Sequence, residues 1–141
     1  MPTLTNQMMR EIIVDHYTYP RNKREPSGSN YEKIHMHSDN CIDDIDVYVL
    51  KEDGIIKDAC FTGIGCTIST ASTDILCELV KGKKIKEADE ILANYDAMIH
   101  EAPFDENVLD EAVVFMNTSK QAARIRCAML GCTAIGELIK K

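Results

Sequence analysis

The sequence predicts an α+β domain, a small antiparallel three-stranded sheet packed with about four to five helices. Three observations predict it. Residues with two-residue alternation are confined to the stretch before Thr62, helical spacing dominates from Ile68 onward, and Asp53-Gly54 joins two of the alternating runs. Strands first and helices afterwards form a segregated sheet covered by helices.

Residues 4–17 read as the first helix, with Leu4, Met8, Ile12 and Ile13 at near-helical spacing. Pro20 and the polar stretch 21–30 end it as a loop. Residues 31–37 alternate Tyr31, Lys33, His35 and His37 with Glu32, Ile34 and Met36, which suits a strand. Ile45, Val47 and Val49 alternate with Asp46, Tyr48 and Leu50, the pattern of a half-buried strand. Glu52-Asp53-Gly54 is a hairpin turn, followed by a strand over 55–62 with Ile55, Ala59 and Phe61 on one face. Ile68, Ala71, Ser72, Ile75 and Leu79 then mark a helix that Gly82 stops. Further helices are expected over 85–100 and 105–117, separated by Pro103, and over 119–140.

The 141 residues suffice for one domain, 1–141, with a core that needs no disulfides. The apolar fraction is 45% and the charged fraction 28%, as in ordinary soluble proteins. No apolar stretch approaches bilayer length and no secretory pattern opens the chain, so a cytoplasmic location is expected, where thiols stay reduced. A net charge of −7 argues against nucleic acid, and the lack of Trp weakens base stacking further.

Six cysteines in that setting point to metal or sulfur chemistry. Cys41 lies two residues before Asp43, so an extended segment projects both to one side. Cys66 closes Gly63-Ile64-Gly65-Cys66 at a helix start, where free N–H groups and the helix dipole favour an anion. Gly63 and Gly65 are expected to let backbone approach a bound ion or sulfur. Cys127 follows Arg124 and Arg126, whose charge favours thiolate. Three sulfurs and one carboxylate suit zinc or the cradle of an iron–sulfur cluster. Asp43 is a weaker ligand for a soft metal than a fourth cysteine, which suits ligand exchange. No CxxC pair anchors such a site, and lone cysteines often serve only as small core residues. Cys60, Cys77 and Cys132 are assigned to that role. His35 and His37 could bind metal but read first as an exposed polar face; His16 and His100 are isolated, and Lys81–Lys86 is a solvated helix end.

Three segments carry a family resemblance. Gly65-Cys66-Thr67-Ile68-Ser69-Thr70-Ala71-Ser72 resembles the Gly-Cys-x-Ile-Ser-x-Ala-Ser segment of the NifU/IscU/SufU iron–sulfur assembly proteins. Asp15-His16-Tyr17-Thr18-Tyr19-Pro20-Arg21-Asn22 is similar to their Asp-His-Tyr-x-x-Pro-Arg-Asn, and Arg124-Ile125-Arg126-Cys127-Ala128-Met129-Leu130 to their last cysteine motif. The segments keep the family's order and span nearly the whole chain.

Arg126 stands where IscU-type members usually have His, and the 61 residues from Cys66 to Cys127 leave room for a SufU-type insertion near 83–103. The resemblance therefore implies a SufE/NifU-like fold and a SufU-type protein. Its zinc would be held by Cys41, Asp43, Cys66 and Cys127. It would accept persulfide sulfur from a PLP-dependent cysteine desulfurase of the SufS type, with Cys127 as acceptor and Cys41 as exchangeable ligand, and pass it to downstream iron–sulfur assembly or acceptor proteins. Such a protein is a sulfurtransferase-like co-substrate more than a stand-alone enzyme. An IscU-like scaffold carrying a transient iron–sulfur cluster would use the same ligands, and a structural zinc interaction domain is the third reading. The family's Asn-Pro-x-Cys-Gly-Asp stands here as Ser38-Asp39-Asn40-Cys41-Ile42-Asp43, without its Pro and with Ile42 for its Gly, and a common Trp is missing near Gly131 and Cys132.

Overall fold

The computed structural model describes residues 4–38 and 42–140. Helix α1 (Asn6–Thr18) starts two residues later than its periodicity suggests because Thr5 caps it, its hydroxyl accepting from the Met8 N–H at 3.1 Å. Its buried side chains are Met9 and His16, while Leu4, Ile12 and Ile13 lean on the core.

Strands β1 (Glu32–His37), β2 (Asp44–Glu52) and β3 (Ile55–Ile64) pair antiparallel in the order β1-β2-β3. Ile45, Val47 and Val49 lie on the covered face, at most 1% exposed. Asp53 and Gly54 both take positive φ, 54° and 75°, which makes the turn a tight two-residue hairpin loop. One strand expectation is corrected. Leu50 pairs with Asp58 but Lys51 with Ile56, so a bulge at Lys57 shifts the alternation. Ile56, Ala59 and Phe61, not Ile55, therefore face inward.

Helix α2 (Thr67–Val80) runs through the middle of the molecule, with every residue from Ser69 to Cys77 buried. Gly82, at φ 80°, ends it and donates its N–H to the Ile56 carbonyl at 2.8 Å. Helix α3 (Ile85–Ile99) spans most of the stretch marked as an insertion and packs on α4 (Ile125–Ile139). Where α4 crosses α2, a Cβ on Gly131 would stand 2.5 Å from the Thr73 hydroxyl, so only glycine permits this approach. That crossing brings the N-terminal ends of α2 and α4 together.

The helix expected over 105–117 is instead two 3₁₀ segments, Glu106–Val108 and Asp110–Phe115. Asp110 takes φ 46°, which an α-helix cannot pass through, and the consecutive residues Ala112–Phe115 are all buried where a helix would show one face to water. The final helix also starts later than residue 119, after 3₁₀ turns at Thr118–Lys120 and Ala122–Arg124. No helix among the described residues is long and apolar enough to cross a membrane.

Candidate metal centre

Cys66 is the N-cap of α2, and its sulfur accepts from the Ser69 N–H at 3.4 Å. A thiol serves there as Ser or Asp usually does, and the interaction grows stronger as the sulfur gains charge. Cys127 lies in the first turn of α4, which continues from the 3₁₀ turn Ala122–Arg124 and has no side-chain cap among the described residues. Asp43, just before β2, is only 2% exposed. One of its oxygens, Oδ1, accepts from the Cys66 N–H at 2.9 Å and the Ser69 hydroxyl at 2.6 Å. A carboxylate, a helix N-terminus and a serine thus hold one another.

The ligand atoms of Asp43, Cys66 and Cys127 all lie within 4.8 Å of one another. Donors on a tetrahedral zinc, with bonds of about 2.0–2.3 Å, are separated by roughly 3.5–3.8 Å. Side-chain shifts of about one ångström close that gap. Among the described residues, Asp43 Oδ2 is buried and has no hydrogen-bond partner. An orphaned carboxylate oxygen in the interior costs several kcal/mol, on the order of a lost charged hydrogen bond, unless something ligates it. A cation between the two thiols supplies what is missing, so these residues fit a soft or borderline metal.

The electrostatics agree. Burial works to raise the Asp43 carboxyl, but the Ser69 hydroxyl and Cys66 N–H outweigh it and hold it below the usual carboxylate range. Burial also works to raise the Cys66 thiol, and the Ser69 N–H and hydroxyl bring it below the ordinary thiol value despite the nearby Asp43. Cys60 and Cys77 move upward, burial being the largest cause, and burial pushes Cys132 up to about 12. Those three are core thiols. Cys132 is 5% exposed and donates to the Leu92 carbonyl at 3.6 Å, pointing away from the Cys127 turn.

Among the expected site residues, Cys41 lies outside the described residues. Gly63 and Gly65 serve neighbouring protein atoms more than an ion. Gly63 has φ 112° and a Cβ there would meet the Asp44 carbonyl at 2.2 Å; one on Gly65 would meet the Ser69 hydroxyl at 2.5 Å. Arg124 and Arg126 are exposed at the start of α4. Cations there oppose the helix dipole, a local cost consistent with anionic sulfur nearby. A groove of about 460 Å³ opens beside the site, lined among others by Tyr17, Ile42, Cys66 and Arg124. Ile42 is 65% exposed there.

The family model of the NifU-like N-terminal domain matches residues 8–141. The chain belongs to this family. It is 32% identical to the zinc-dependent sulfurtransferase SufU of Bacillus subtilis, over 95% of this chain and 90% of that protein. It is also 32% identical to the iron–sulfur cluster assembly scaffold protein IscU of Thermotoga maritima, over 72% of each. A solved structure described as a putative scaffold protein for the SUF system, from Fervidobacterium islandicum AW-1, superposes with a TM-score of 0.83 at 28% identity, covering 92% of this chain and 94% of that one.

The family's N-terminal motif has a physical task that sequence reasoning left unassigned. His16 is buried, its Nδ1 2.6 Å from Asp74 Oδ2 and its Nε2 2.8 Å from Glu111 Oε1. Both ring nitrogens therefore lie within hydrogen-bond distance of a carboxylate, one on α2 and one on the 3₁₀ segment Asp110–Phe115. Asn22 donates its N–H to Asp74 Oδ1 at 2.7 Å and its amide to the Asp74 carbonyl at 3.1 Å, and Lys81 donates to the Asn22 side chain. Arg21 pairs with Asp15 at 2.6 Å across the chain reversal at Pro20. The motif thus ties α1 and its following loop to α2, the helix that Cys66 caps. The signal was the Asp15-His16 pair in a helix whose apolar face is thin; the partners of His16 lie more than fifty residues away.

Proposed function

We propose that this chain is an iron–sulfur cluster assembly protein of the SufU type, a single domain that accepts sulfur from a SufS-type cysteine desulfurase. The observation carrying this reading is the buried Asp43 carboxylate, which gathers with the sulfurs of Cys66 and Cys127 within 4.8 Å and keeps one oxygen without a partner among the described residues. Asp43, Cys66 and Cys127 would hold zinc together with Cys41, whose part rests on the family motif. Zinc, when bound, keeps the thiols deprotonated and holds them in place without redox change. Arg126 and the long step between the last two motif cysteines favour sulfur acceptance over cluster building.

The chain's own residues prepare the acceptor. Arg124 and Arg126, where the last 3₁₀ turn runs into α4, place positive charge in the same turn as Cys127. The Cys127 thiolate attacks the terminal sulfur of the partner's persulfide. The sulfur–sulfur bond breaks, the partner's cysteine leaves as thiolate, and Cys127 carries the persulfide. Cys127 is 2% exposed, whereas Cys66 is half-buried, so docking has to open this end of α4. Cys41 is the ligand that gives way. The groove beside Cys66 is the approach, and the cytosol is the setting in which these thiols stay reduced.

The test is desulfurase turnover with a SufS-type enzyme, with and without this protein and its Cys127→Ala variant, zinc content being measured on both. Strong stimulation that the variant loses is expected. A folded, zinc-loaded protein that stimulates nothing would overturn the reading. The scaffold alternative rests on the same ligands and predicts an iron-dependent chromophore after anaerobic reconstitution, with handover to an apo-protein.

A further inference from the structure

The outward face of the sheet carries a second group of metal-ligating side chains, distinct from the thiols. Ile34 and Met36 on β1 and Ile45 and Val47 on β2 turn toward the core, which leaves His35, His37, Asp44 and Asp46 on the opposite face. The register sets His35 across from Asp46 and His37 across from Asp44. His35 Nδ1 lies 2.8 Å from Asp46 Oδ1, and its Nε2 lies 2.9 Å from Asp44 Oδ1. The His35 and His37 rings are 6.1 Å apart and tilted by 30°. Lys33 Nζ stands 3.9 Å from the other Asp46 oxygen.

We propose that His35, His37 and Asp44 form an accessory site for a borderline divalent transition-metal ion, with Asp46 as the residue that positions His35. Two donors each about 2.0–2.1 Å from one ion at a right angle are about 2.9 Å apart. His35 Nε2 and Asp44 Oδ1 already have that separation. An ion roughly 3.2 Å from each ring centre sets the centres about 4.5 Å apart at a right angle and about 6.4 Å apart in line, so at 6.1 Å His37 joins opposite His35 or turns its ring toward the ion. A ligating histidine commonly gives its other N–H to a carboxylate, and Asp46 accepts from Nδ1 in that manner. Two imidazoles and a carboxylate select copper, nickel or zinc over calcium and magnesium. Asp43 and Asp44 are adjacent, yet Asp43 is buried at the thiol site and Asp44 is exposed on the sheet. The two sites therefore share no donor, and this inference does not depend on the sulfur-transfer reading.

The full-length chain, first loaded with one equivalent of zinc, is titrated with nickel chloride. Calorimetry counts the sites, absorption reports nickel–thiolate bonds, and NMR follows the histidine ring signals. One further equivalent is expected, with broadening at His35 and His37 and no thiolate absorption. His37→Ala should abolish it, and Asp46→Ala should weaken it by about 10–100-fold with circular dichroism unchanged. Absence of a second equivalent, nickel bound only with thiolate absorption, or equal binding in His37→Ala would overturn the proposal.

Discussion

Asp43 and Asp74 are both buried carboxylates held by a helix and a loop, yet they differ in one atom. Each Asp74 oxygen has a partner: Asn22 N–H on Oδ1, His16 on Oδ2. Among the described residues, Asp43 has two donors on Oδ1 and none on Oδ2. A satisfied buried network fixes a fold, and a half-satisfied one awaits a ligand. The two are linked through α2, which Asp74 anchors near its middle and Cys66 caps at its start. The first region holds the second in place.

The comparison breaks most sharply at His16. Replacing it by Ala leaves Asp74 Oδ2 without its partner in the core, and breaking such a buried pair costs about 3–5 kcal/mol. Urea unfolding should show that loss in the metal-free protein; a smaller loss than about 1 kcal/mol would mean that the cluster is not what anchors α1. Asp43→Ala is expected to behave oppositely. It removes a ligand, so zinc competition titrations should show affinity lower by about 100-fold or more. Metal-free stability should fall by less than in His16→Ala, because the hydrogen bonds lost from the Cys66 N–H and Ser69 hydroxyl are partly offset by the disappearance of an unpaired buried oxygen. Gly131→Ala acts between the two regions. Its methyl meets Thr73, and urea unfolding should register about 1–3 kcal/mol from overpacking.

The pH dependence is a finer test. Asp58 is a third carboxylate with both oxygens used; burial raises it, but Arg24 and Tyr31 more than reverse this and leave it below the usual range. A carboxyl lowered on folding adds stability that is complete above its unfolded value of about 3.9 and fades as pH falls through the folded value. Acid unfolding monitored below about pH 4 should therefore be shallower in Asp58→Asn than in the parent protein. The smallest effect is expected at Cys132→Ala, which removes a core thiol remote from the ligands. Persulfide transfer followed by mass spectrometry should be unchanged, and loss of transfer would make Cys132 part of the route.

Much of this was legible in the chain because its signals are local. The alternation of Ile45, Val47 and Val49, the Asp53-Gly54 turn and the spacing through Leu79 each report the structure within a few residues. The bulge at Lys57 was not legible, since one inserted residue reverses a face without altering composition. Nor was the break at Asp110, because the apolar run to Phe115 mimics a helix until its total burial is known. At the site, Cys66 as a helix cap could be read from Gly-Cys-Thr before an apolar-periodic segment. The partners of His16 could not, because Asp74 and Glu111 meet it only through tertiary packing. The cross-strand pairing of His35 with Asp46 likewise depends on a register that no single strand encodes.

The account stands on Asp43 as a metal ligand beside thiolates. X-ray absorption at the zinc edge of the zinc-loaded chain tests this directly. Three sulfurs at about 2.3 Å and one oxygen at about 2.0 Å are predicted, the oxygen being that of Asp43. A shell of four sulfurs, or of fewer than three, would contradict it.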